Sequence, residues 1–164
     1  MNPVLETNAV TVEGILFWSY GISNRSGVKG IDYTPETKGR LGARMEDLRV
    51  EAAMVQAVVN QTLEWPPLRS IIEAKYGERE DAVCQCAVLL EKTARTQQVA
   101  ALMRLVEHFC QFRKYRDREA MMDFSIGRNA VRETRSRYEG ILEGWLWFAL
   151  EMIEPEFRRR GWVE

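Results

Sequence analysis

The stretch RKYRDREAMMDFSIGRNAVRETRSRY, residues 113–138, decides how the fold is read. A helix-turn-helix needs a short helix, a tight turn and a second helix packed across the first. Ala120, Met121 and Phe124 can form the inner face of the first helix. Ile126 fills the turn, and Ala130, Val131 and Thr134 face inward from the second helix. That helix starts near Gly127 or Arg128, glycine being a tolerated N-cap. The order Ser125-Ile126-Gly127 departs from the usual turn, in which glycine precedes the apolar residue and serine follows it.

The N-terminal part of the second helix is the part that enters a major groove. Its outward positions are Arg128, Asn129, Arg132, Glu133 and Ser136. Arginine pairs with guanine and asparagine with adenine through two hydrogen bonds each. Arg128, Asn129 and Arg132 are therefore candidate base readers. Arg135 and Arg137 are placed for phosphates, and Lys114, Arg116 and Arg118, with Arg113, can add phosphate contacts. Only Asp117, Glu119, Asp123 and Glu133 stand against these basic residues, whereas Glu46 to Lys92 leans acidic. The net charge of −1 excludes a protein coated in basic charge, so any nucleic-acid surface must be a local patch. The competing reading is a solvated basic helix in a bundle.

Outward from this unit the pattern is helical. Leu48, Ala52, Val55, Val59 and Leu63 recur on one helix face. Trp65-Pro66-Pro67 stops that helix and opens the next, which carries Leu68, Ile71, Ile72 and Tyr76 and ends at Gly77. Val83, Cys86 and Leu90 mark a third helix; Val99, Leu102, Met103, Val106 and Phe109 mark a fourth. No alternating strand pattern appears, and the fold expected is all-α: a helical bundle with a C-terminal helix-turn-helix. Residues 45–164 form the helical domain, with the helix-turn-helix at about 117–138. Residues 1–44 read as an irregular segment. In it, apolar ILFWSYGI precedes a loop rich in glycine and serine, with turn formers at Gly21, Gly27, Gly30, Pro35, Gly39 and Gly42.

Near the end, GILEGWLWFALEMIEPEFRRRGW is apolar almost all round. Ile141, Trp145, Phe148 and Met152 form one stripe and Leu142, Leu146, Ala149 and Ile153 the next. Glu143 and Glu151 interrupt it, so it is not expected to cross a membrane. It is core, or a contact for another protomer or a large partner, tryptophan being favoured at interfaces.

The 164 residues suit one compact domain, or one with an extension. The start, MNPVLETNAVTVEG, lacks a basic-then-apolar signal, and three cysteines suit a reducing compartment, so a cytoplasmic location is expected. Cys84, Cys86, His108 and Cys110 could count as zinc ligands. Residues two apart on a helix diverge, however, and no metal or other cofactor is expected. The single histidine has no serine nucleophile nearby and there is no phosphate-binding glycine loop, so no enzyme chemistry is expected.

AMMDFSIGRNAVRETRSRY (residues 120–138) resembles the sigma-region-4-like helix-turn-helix of phage regulators. With FWSYGISNR (residues 17–25) and WPPLRSIIEAKYG (residues 65–77) ahead of it, the chain resembles the Q-type late-gene antitermination proteins of lambdoid phages. That resemblance implies binding of a double-stranded DNA element at a late promoter in the host cytoplasm. It also implies engagement of paused bacterial RNA polymerase with its sigma factor, and read-through of terminators. Arg128, Asn129, Arg132 and Arg135 are the positions it carries over as DNA contacts. The rival readings are a homodimeric helix-turn-helix regulator, self-associating on DNA, and a phage packaging adaptor.

Overall fold

A computed structural model describes residues 11–24, 45–94 and 98–163. They form seven helices: α1 (Val12–Asn24), α2 (Met45–Thr62), α3 (Pro66–Gly77), α4 (Glu80–Ala94), α5 (Val99–Phe109), α6 (Asp117–Phe124) and α7 (Arg128–Arg159). No strand occurs among the described residues, so the all-α expectation holds. None of these helices is long and apolar enough to cross a membrane.

The chain divides into two compact units. One comprises Met1–Thr62 and Met152–Glu164; the other is Leu63–Glu151. In the first, α1 corrects the expectation of an irregular segment, since Val12–Asn24 is helical straight through Gly21. Thr11 Oγ1 caps it by accepting from the Gly14 N–H at 3.1 Å. Ile15, Leu16, Ser19 and Tyr20 are buried, and α1 packs on α2, whose Ala52, Val55, Val58 and Val59 are buried too. Burying each such aliphatic side chain is worth about 1.5–3 kcal/mol, against about 1 kcal/mol lost by a glycine inside a helix. Packing therefore outweighs the turn signal. Of the loop expected after Ile22, Ser23 and Asn24 belong to α1 and the rest lies outside the described residues.

In the second unit, α3 packs on α4, α4 on α5 and α5 on α6. Trp65 precedes α3 in an extended conformation, and prolines occupy the first turn, where their missing N–H has no partner to lose. The core takes in Leu68, Ile71, Ile72, Leu90, Leu102 and Leu105. The buried side of α5 is turned from the expected stripe. Ala101, Leu102, Leu105 and Val106 are buried, while Val99, Met103 and Phe109 are only half-buried. α3 ends at Gly77, as expected, and the residue that caps it, Glu78, is left-handed (φ 50°).

Along α7, Leu142, Trp145, Leu146, Ala149, Ile153 and Phe157 are buried. Phe148 and Met152, expected on a parallel stripe, are exposed, as is Trp147. One of the two apolar stripes is thus core, and the other is split, with Trp145 buried, Ile141 half-buried and Phe148 and Met152 at the surface.

Candidate nucleic-acid interface

α6 and the start of α7 fall where the helix-turn-helix was expected, joined by Ser125, Ile126 and Gly127. The turn is built by backbone hydrogen bonds. The Ile126 N–H donates to Met121 O at 3.1 Å and the Ser125 N–H to Met122 O at 3.2 Å, with Ser125 left-handed at φ 53°, ψ 43°. The irregular order Ser-Ile-Gly now has a structural meaning: the left-handed position that glycine usually fills is held by serine. Gly127 then opens α7, its carbonyl accepting from the N–H groups of Ala130 and Val131 at 3.1 Å each.

Beneath the turn, Ala120, Phe124, Val131 and Tyr138 are buried, and the Phe124 and Tyr138 rings stack at 5.8 Å. Met121, Ile126 and Thr134 are half-buried. Ala130, expected to face inward, is exposed, because the buried side of α7 runs through Val131 and Tyr138, seven residues apart.

Polar contacts lock α5, α6 and the segment between them. Arg104 Nη1 on α5 reaches Asp123 Oδ2 on α6 at 2.9 Å, and the Tyr115 hydroxyl donates to the same oxygen at 2.8 Å. Gln98 Nε2 donates to Phe124 O at 3.3 Å. Burial, reinforced by the Asp123 carboxylate, pushes the Tyr115 phenol well above its ordinary value, so it remains a donor. The Glu119 carboxylate accepts from the Arg116 N–H at 2.8 Å and closes the first turn of α6.

On this frame Arg128 and Asn129 are exposed, and Arg132 is 78 % exposed with one long contact of 3.9 Å to Asp117. Arg128 and Arg132 are one helical turn apart and share an edge of α7. Lys114, Arg116 and Arg118 are exposed on α6 and its approach. Arg135, expected at phosphate, is instead engaged within its own unit. Its side chain is only 14 % exposed and reaches Asp117 at 2.5 Å and Glu139 at 3.3 Å, over the Tyr115 ring. A guanidinium committed in this way serves the fold. Arg137 is exposed but stands about 140° round the helix from Arg132, beside Glu133 at 3.7 Å.

No family model, no curated protein and no solved structure matches this chain.

The cysteines lie elsewhere in the same unit. Cys84 is exposed while Cys86 and Cys110 are buried. Burial pushes both buried thiols up to about 12, and Cys110 adds to the shift at Cys86. Among the described residues no three His, Cys, Asp or Glu side chains gather as metal ligands. Reading by residue type missed Asp117, Tyr115, Asp123 and Arg104. Asp117 meets Arg135 from eighteen positions away, and no local spacing announces such a pair.

Proposed function

We propose that the chain is a sequence-specific DNA-binding transcription regulator, and that it acts as an antitermination factor of the phage Q type. The first part is carried by one observation: Arg128, Asn129 and Arg132 stand exposed on the first turns of α7, directly after a tight turn braced by α6. In this reading the N-terminal end of α7 enters the major groove, where Arg128 and Arg132 pair with guanines and Asn129 with adenine. Lys114, Arg116 and Arg118 contact phosphates and fix the register. The second part rests on the resemblance of residues 17–25, 65–77 and 120–138. It assigns the DNA element to a late promoter and the partner to RNA polymerase paused with its sigma factor.

Two experiments separate the parts. Selection from a random duplex pool should enrich one motif with the wild-type chain. Arg128→Ala and Arg132→Ala should each weaken binding to it by about 1–3 kcal/mol and relax specificity at one position. A pool that stays random removes the DNA-reading proposal. With the selected element at a promoter, purified polymerase should read through a downstream terminator when the protein is added. DNA binding without read-through removes the antitermination proposal alone.

A further inference from the structure

One face of α7 is exposed and apolar in the middle of the helix. Trp147 and Phe148 are each 56 % exposed, with their rings in edge contact at 5.0 Å. Arg137, Gly140, Gly144 and Glu151 share that face, all within about 100° of arc. Glycine inside a helix destabilises it relative to alanine, so two of them one turn apart need a reason. Among the described residues nothing supplies one. A Cβ at Gly140 or Gly144 would meet nothing within 4 Å.

We infer that this face docks on the same face of a second copy, the two α7 helices packing antiparallel about Gly144. With Gly144 opposite its own counterpart, Gly140 and Phe148 are equidistant from the centre, and so are Arg137 and Glu151. Each Phe148 ring then fills the open space above the partner's Gly140, and the bare glycines let the two backbones approach. Each Arg137 meets Glu151 of the partner subunit. Arg137 is 66 % exposed and its contact with Glu133 is long, so it is available for that pairing. Parallel packing would set Arg137 against Arg137 and Glu151 against Glu151, and charge rejects it. The contact is self-complementary and closes at two copies. Aromatic residues at its centre and charges at its rim are the composition of a protein interface. Arg137 thereby belongs to the dimer rather than to phosphate. The inference does not depend on DNA reading: a dimer that binds no DNA would leave it intact.

Sedimentation velocity on the full chain tests it. The wild type should be a dimer that dissociates on dilution, and Phe148→Glu should be a monomer. Gly144→Leu should also be a monomer, with unchanged far-UV circular dichroism because the single chain has room for the side chain. Arg137→Glu and Glu151→Arg should each raise the dimer Kd about tenfold or more, and the double swap should restore it. A wild type that remains monomeric up to its solubility limit overturns the inference. So does a dimer indifferent to Phe148→Glu and Gly144→Leu, or a double swap that fails to restore association.

Discussion

Arg135 Nη1 on α7 donates to Asp117 Oδ1 on α6 at 2.5 Å, across the turn that joins the two helices. The same guanidinium lies over the Tyr115 ring and reaches Glu139. Asp117 begins α6, where a carboxylate also suits the positive end of the helix dipole. The pair therefore fixes the angle at which α7 leaves α6, and with it the direction in which Arg128 and Arg132 point.

Removing Arg135 should cost stability. Arg135→Ala removes the ion pair with the half-exposed Asp117 and strips a planar group from Tyr115, so a loss of about 1 kcal/mol is expected in urea denaturation. Arg135→Lys should fall between, since lysine keeps the charge but not the fork. A phosphate contact behaves differently: its removal lowers the salt slope of DNA binding by about 1. For Arg135→Ala, measured where the variant is folded, the slope should be unchanged, whereas Lys114→Ala should reduce it.

The turn gives a stabilising variant. Ser125 pays for a left-handed backbone that glycine adopts freely, and a non-glycine residue there costs about 1–2 kcal/mol. Glycine gives part of that back through its freer unfolded chain. Ser125→Gly should therefore gain about 0.5–1 kcal/mol and raise Tm by a few degrees. Ser125→Val should lower it, because a β-branched residue fits that conformation worst. Equal Tm values for the serine and glycine forms would show that the strain is absent.

The helices were legible because proline, glycine and apolar spacing act locally. Pro66 and Pro67 open α3, and Val83, Cys86 and Leu90 are buried on α4. The placement of α6, the turn and the start of α7 followed from the same kind of signal. What escaped depends on partners distant in sequence. α1 was hidden because Gly21 reads as a turn until α2 buries Ile15 and Leu16. Arg135 looked like its neighbours Arg132 and Arg137, and only Asp117 on another helix distinguishes it. The two apolar stripes of α7 were equivalent on paper, and only tertiary packing chose Leu142 and Ala149 over Phe148.

The thiols should separate by burial. Cys84 alone is exposed, so an aromatic disulfide reagent should titrate one thiol in the native protein and all three after unfolding. Cys86 and Cys110 hold their protons up to about 12, above the ordinary 9.0. Between these values the folded chain binds protons that the unfolded chain has released. Stability from these groups is thus complete below pH 9 and falls as pH rises toward 12. Melting followed from pH 8 to 11 should show this decline, and Cys86→Ala should make it shallower. A decline of unchanged slope in Cys86→Ala would assign it to other groups, Tyr115 among them.

If the α7 faces pair about Gly144 and the N-terminal ends of α7 read DNA, the two ideas together set the operator. Arg132 lies twelve residues from Gly144, about 18 Å along a helix that rises 1.5 Å per residue. The two Arg132 positions of an antiparallel pair are therefore about 36 Å apart along the shared direction, close to the 34–36 Å that separates successive major grooves on one side of the duplex. Arg132 also stands about a third of a turn from Gly144 on the helix. A two-fold axis perpendicular to the paired helices accordingly leaves both reading edges on the same side of the dimer. The selected motif should be an inverted repeat with half-site centres about one helical turn apart, 10–10.5 bp. Inserting five base pairs rotates one half-site to the far side and should reduce binding to that of a single half-site, whereas inserting ten or eleven should restore the facing but overstretch the pair. Binding that is indifferent to a five-base-pair insertion would mean that each copy reads DNA alone, whatever the state of the α7 interface in solution.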